Sequence, residues 1–138
     1  MGNVIVNILL DTHVIVWSQI ASPRLGKKAC QILKNEPNTL WISAISALEI
    51  SRLAQGGKLD LGMPARDWFQ KASRFLSARI QPIEEAVAFE SYQLPGEFHA
   101  DSADRILVAT ARLNSLRLLT ADERILAYEG VSTVNACS

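Results

Sequence analysis

Cysteine is nearly absent from this chain, with Cys30 and Cys137 the two present, far apart and in no CxxC arrangement. That excludes a disulfide scaffold and a zinc ribbon, and both residues read as free thiols. Histidine is equally scarce, with His13 and His99 widely separated, so no cluster of soft ligands is available for a transition metal. No apolar run approaches the roughly 18–20 residues of a membrane-spanning helix. Val4 to Leu10 lacks a basic flank and runs directly into Asp11, unlike a signal peptide, so a cytosolic protein with no membrane association is expected. Excess charge is missing too: 14 basic residues face 14 acidic ones, which argues against a simple cationic nucleic-acid binder. Linkers, repeats and low-complexity tracts are also lacking.

What remains is a chain of 138 residues that is 49% apolar, with mean hydropathy +0.12. This suits a single domain spanning residues 1–138, because a chain of that size buries one real core and not two. The even charge balance conceals a division. Residues 24–79 carry ten basic groups against four acidic, whereas residues 80–138 carry four against nine. Two readings of the basic middle stay open: solvated helix faces, or contacts to a polyanion.

Hydrophobic patterning supplies the elements. Val4 to Leu10 is β-branched and almost wholly apolar, as expected of a strand buried on both faces of a parallel sheet. Helical spacing follows over 12–20 and 26–35, interrupted by Pro23. Leu40 to Ile42 reads as a short strand, Ser43 to Ala54 as a helix closed by Gly56-Gly57, and the segment from Pro64 as another helix. Arg79 to Pro82 reads as a strand, 83–94 as a helix stopped by Pro95-Gly96, and Ser102 to Asn114 as a helix apolar on most sides. Leu118-Leu119, 121–128 and Val131 to Val134 complete the alternation as strand, helix and strand. The pattern predicts an α/β fold with a central, mainly parallel sheet flanked by helices.

Four acids fall where such a fold places ligands. Asp11 follows the first strand, Glu49 lies in the helix after the second, Asp104 sits in the first turn of the apolar helix, and Asp122 follows Leu118-Leu119. In open α/β sheets the ligand crevice lies beyond the carboxyl ends of the strands. Crowded carboxylates repel, and a hard divalent cation removes the conflict, so oxygen-only ligands point to Mg²⁺ or Mn²⁺. Each acid also has a structural reading. Thr120 to Glu123 and Ser46 to Glu49 match the capping-box signature, Glu49 has Arg52 as a helix-surface partner, and Asp101 has Arg105 at i,i+4. Asp11 stands apart, since Thr12 beside it is the better cap and a buried carboxylate needs a partner.

The segments Leu9 to His13, Ser46 to Ile50, His99 to Ala111 and Leu118 to Asp122 together resemble the PIN-domain family, and within it the VapC-type toxins of toxin–antitoxin pairs. The resemblance runs in order along nearly the whole chain. It implies that Asp11, Glu49, Asp104 and Asp122 bind Mg²⁺ or Mn²⁺ and cut RNA to leave a 5′-phosphate and a 3′-hydroxyl. It further implies a homodimer and a cognate antitoxin laid across the groove, with Ser43 to Ala54 and Pro64 to Leu76 as candidate surfaces. Where family members commonly carry a proline and an aromatic, this chain has Ser102-Ala103. Asp101 is read as an auxiliary acid or helix cap, and His13 and His99 as structural or substrate contacts.

Candidates for gripping RNA are the basic residues of the middle third, and Trp17, Trp41 and Trp68 are weighed as base stackers against core or dimer contacts. Competing functions fare less well. A phosphoaspartate receiver needs an adjacent acidic pair after an early strand, and a haloacid-dehalogenase-like phosphatase needs Asp-x-Asp where this chain has Asp11-Thr12-His13. A catalytically silent scaffold of the same fold is the remaining alternative.

Overall fold

A computed structural model describes residues 6–35 and 37–138. Among these residues five strands form one sheet: β1 (Asn7–Leu10), β2 (Thr39–Ser43), β3 (Arg79–Gln81), β4 (Arg117–Thr120) and β5 (Thr133–Asn135). Their order is β3-β2-β1-β4-β5, and every pairing is parallel. Val4 and Ile5, expected to open the first strand, lie outside the described residues.

Among the described residues seven helices join the strands: α1 (Thr12–Gln19), α2 (Lys27–Lys34), α3 (Ala44–Gln55), α4 (Ala65–Phe75), α5 (Glu85–Glu90), α6 (Ser102–Leu113) and α7 (Glu123–Leu126). The apolar run Ile8 to Leu10 of β1 is explained by helices on both faces of the sheet. Ile8 and Leu10 pack with Val14, Ile15, Ala29, Ala72 and Leu76 on one side. Leu9, between them in sequence, packs with Ile45, Leu107, Val108 and Ala111 on the other. Successive side chains of a strand point to opposite faces, so a strand clothed twice has no polar position to spare. The apolar character of α6 has the same origin, its 107–111 segment being fully buried.

Two helices are shorter than the sequence pattern predicts. The segment 83–94 is helical only over Glu85–Glu90, because Ser91 closes the last turn with its own hydroxyl on the Ala88 carbonyl and gives its carbonyl to Arg105. The 121–128 segment yields a single turn, Glu123–Leu126. The capping expectations also change. Ser46 lies inside α3, whose cap is Ser43, and α7 is capped by Asp122 and not by Thr120.

β1 is central, and the chain leaves it in both directions, toward β2 on one side and β4 on the other. This is a topological switch point, where the connections diverge and leave a crevice at the carboxyl ends of β1 and β4. Past the carboxyl end of β5, α2 starts without a side-chain cap. Its first turn is instead satisfied by the chain terminus: Gly26 N–H donates to the Ala136 carbonyl at 3.0 Å and Ala29 N–H to that of Ser138 at 3.2 Å. Glycine is required by this close approach, since a Cβ at position 26 would fall 2.0 Å from the Ser138 oxygen and 2.6 Å from that of Cys137. Gly26→Ala is therefore expected to lift the terminal segment off α2 and to cost about 1–3 kcal/mol, read as a lowered thermal or urea midpoint.

Candidate active site

The crevice is built outward from Asp11. Its backbone continues the sheet, Asp11 N–H donating to the Leu119 carbonyl at 3.0 Å, so the side chain emerges between the ends of β1 and β4. It is 6% exposed. Asp11 Oδ1 accepts from Thr12 N–H at 2.7 Å and caps α1, a role the sequence had favoured for Thr12; Oδ2 accepts from Thr120 Oγ1 at 2.6 Å. Burial pushes the Asp11 carboxyl above its ordinary range, against the opposing pull of these bonds and of His13, and the negative charge of Asp122 adds to the rise.

Two threonines connect Asp11 to its neighbours. Thr12 Oγ1 donates to Glu49 Oε1 at 2.6 Å and lies 2.8 Å from Ser46 Oγ, which binds α3 to the start of α1. Glu49 thus faces the crevice and not Arg52. Burial raises its pKa, Thr12 opposes, and Asp11 and Asp101 raise it further. On the other side Thr120 Oγ1 accepts the Asp122 N–H at 3.0 Å. Asp122 Oδ1 then accepts the N–H groups of Arg124 and Ile125, and Oδ2 takes the Arg124 guanidinium at 3.3 Å. Burial pushes Asp122 upward, but the Arg124 side chain and those two N–H groups outweigh it and hold the carboxyl below its usual range.

Asp104 enters from α6, whose cap is Asp101; that side chain accepts the Asp104 N–H at 2.9 Å. Asp101 is therefore a helix cap, and Arg105 turns away from it to the carbonyls of Ser91, Phe98 and His99. Asp104 Oδ2 is held by His99 Nε2 at 2.6 Å, with Arg124 at 4.0 Å. Burial raises Asp104 to about 6; the His99 bond opposes this, and the charges of Asp101, Asp11 and Asp122 reinforce it.

All four acids singled out in the sequence thus border one crevice, joined in a chain of contacts from Glu49 through Thr12, Asp11, Thr120, Asp122 and Arg124 to Asp104 and His99. Sequence reasoning missed Arg124 and gave His99 too little weight. The available signals were Arg124 two residues beyond Asp122, and His99 five before Asp104 in the loop feeding α6. None of the tryptophans lines the crevice: Trp17 is buried beneath Arg24, Trp41 is bonded to Asn7 beside Arg79, and Trp68 packs on the core.

The donor set suits a hard cation. It consists of carboxylate oxygens, three of them on acids whose burial and mutual repulsion favour protonation unless positive charge is supplied. Among the described residues no three acidic, histidine or cysteine side chains stand close enough to cage an ion directly. His99 and Arg124 instead occupy one oxygen each of Asp104 and Asp122.

A carboxyl whose native pKa exceeds its unfolded value stabilises the fold fully below the unfolded pKa, and that contribution is lost as pH rises through the native one. For Asp104 the window runs from about 4 to about 6. In metal-free protein, Asp104→Asn is expected to be the more stable form at pH 7.5, by on the order of 1 kcal/mol. The advantage should disappear toward pH 4, as read from paired thermal melts across that range.

Comparison with known proteins agrees with this architecture. A family model for the PIN domain matches residues 8–131. The chain is 33% identical over 121 residues to Ribonuclease VapC22 of Mycobacterium tuberculosis, which covers 88% of this chain and 91% of that protein. Among solved structures, VapBC2 from Rickettsia felis, bound to a DNA fragment from its promoter, superposes with a TM-score of 0.67 at 19% identity, over 94% of this chain and 98% of that one. A toxin–antitoxin complex from Klebsiella pneumoniae gives 0.63 at 23% identity, over 94% and 97%. With a five-stranded parallel sheet, acids at its switch point and a family match over nearly its whole length, the chain belongs to the PIN-domain family, in its VapC-type branch.

Proposed function

We propose that this protein is a ribonuclease that hydrolyses RNA phosphodiesters with Mg²⁺ or Mn²⁺ held by Asp11, Glu49, Asp104 and Asp122, and that it is the toxin of a toxin–antitoxin pair. The observation that carries the reading is the convergence on one crevice of four acids from four separate segments, three of them pushed toward protonation by burial. The relative named a ribonuclease supports the reaction class, and the toxin–antitoxin complex supports the kind of partner.

A divalent ion bound there supplies an acidified water and neutralises charge building on the phosphoryl oxygens. The protein's own groups do the rest. Asp11 is fixed by Thr12 and Thr120, so it offers its remaining lone pairs in a set direction. Thr12 in turn fixes Glu49 through Oε1, leaving Oε2 free of hydrogen bonds among the described residues. Of Glu49 and Asp122, Glu49 is the better proton acceptor for attacking water, because burial raises its pKa while Arg124 holds that of Asp122 down. Water adds to phosphorus as it gives a proton to Glu49, the bond to the 3′-oxygen breaks, and that oxygen takes up a proton from solvent.

The same reading carries a cytosolic setting, a homodimer and a cognate antitoxin. The side chains of Leu48 on α3 and Phe75 on α4, 63% and 73% exposed, support contact surfaces on those helices. Among the described residues no helix is long and apolar enough to cross a membrane.

Purified protein is expected to cut total cellular RNA with Mg²⁺ or Mn²⁺ and to stop in EDTA. Asp11→Asn and Asp104→Asn should each lose at least about a hundredfold in rate while melting cooperatively. Mapped 5′ ends check the products; undiminished cutting in EDTA or by Asp11→Asn refutes the proposal. Sedimentation at micromolar concentration should give a dimer, and Leu48→Glu should shift it toward monomer.

A further inference from the structure

Cation binding accounts for the acid crevice but leaves the cleft beside it unused. This open cleft has a volume of about 710 Å³ and lies between the 95–99 loop and the 127–130 segment, within the roughly 300–1,000 Å³ of small-ligand sites. It is continuous with the acids, because His99 and Arg124 line it and are the residues bonded to Asp104 and Asp122. One wall is aromatic. The half-buried Phe98 and Tyr128 rings, each packed in part against the core, lie 4.8 Å apart at a 53° tilt, and the His99 ring lies 4.2 Å from Phe98 at a 42° tilt. Glu97 and Glu129 stand at the rim, exposed and without an ion pair among the described residues.

The geometry points to a nucleobase subsite, in which the cleft receives the unpaired base of a nucleotide adjoining the scissile phosphate. The chemical class of this ligand rests on the ribonuclease reading. Aromatic faces stack any base. The two rim carboxylates repel backbone phosphate and accept only hydrogen bonds, so the edge they favour carries N–H donors. Guanine offers two such donors side by side, at N1 and N2, whereas uracil offers one between two carbonyls. Arg124 is 63% exposed at the boundary between cleft and acids and uses part of its donor fork on Asp122, leaving further N–H groups for the phosphate that joins the two sites.

The Tyr128 ring is set by its surroundings. Its hydroxyl donates to the Pro95 carbonyl, which ties the two walls together. Gly130 lies against the ring edge, so closely that a Cβ there would stand 2.4 Å from Tyr128 Cζ and Oη. Gly130→Ala therefore displaces the ring without removing it, a perturbation distinct from Tyr128→Ala.

The test is an amide chemical-shift titration of ¹⁵N-labelled protein with GMP and, separately, UMP, which requires no turnover. GMP is expected to shift Phe98, Tyr128 and Gly130 and to bind about tenfold tighter than UMP. Tyr128→Ala should weaken GMP by roughly tenfold, Tyr128→Trp should retain it within about twofold, and Gly130→Ala should fall between. Glu129→Gln, at an exposed position that leaves folding untouched, should narrow the preference for GMP over UMP. Shifts confined to other regions, equal affinity for the two nucleotides, or unchanged binding by Tyr128→Ala overturns the subsite. A protein that binds GMP here yet cuts no RNA keeps the subsite and loses the nuclease; the reverse result keeps the nuclease alone.

Discussion

Everything around the crevice depends on keeping one carboxylate, Asp11, out of water at the end of the central strand. A buried anion is costly unless hydrogen-bonded, and the structure supplies two bonds, one from Thr12 beside it and one from Thr120, 109 positions away in the chain at the end of β4. Those two threonines also carry the contacts outward, Thr12 to Glu49 and Thr120 to the backbone of Asp122. The site is thus an extension of the pairing between β1 and β4. Loosening that pairing would scatter the acids without altering any of them.

A second constraint is electrostatic. Asp11, Glu49 and Asp104 are each raised first by burial and then by neighbouring negative charge, that of Asp122 for Asp11, of Asp11 and Asp101 for Glu49, and of Asp101, Asp11 and Asp122 for Asp104, while Asp122 alone of the four is lowered, chiefly through Arg124. Arg124 and His99 therefore supply, within the chain, part of the positive charge and hydrogen bonding that the crowded acids require. Their position also makes them the border between the acids and the aromatic cleft, so one pair of side chains serves the balance of charge on one side and the approach of a ligand on the other.

Much of the fold was legible because a parallel sheet covered on both faces leaves an unmistakable imprint, the apolar runs of β1 and of α6. Element ends were less legible. The helix expected over 83–94 closes early because Ser91 engages the backbone on both sides of itself, a tertiary outcome invisible to periodicity. The capping signatures misled for a related reason. Ser46 has the right spacing from Glu49, yet Ser43, three residues earlier at the end of β2, takes the cap, and Ser46 is drawn to Thr12 instead.

The sequence by itself determined the α/β alternation, the four acids at strand ends and helix starts, and the absence of soft metal ligands, because each is written in residue type and local spacing. Only the tertiary structure decided that Thr12 and Thr120 bind the acids together, that Asp101 is a cap, that the tryptophans serve the core and the aromatic wall comes from Phe98 and Tyr128, and that Arg124 and His99 share the crevice. These are contacts between segments tens of residues apart, fixed by the strand order β3-β2-β1-β4-β5 and by competition for hydrogen bonds within it. No local pattern in the chain encodes which of several possible partners a side chain will meet once the sheet has closed.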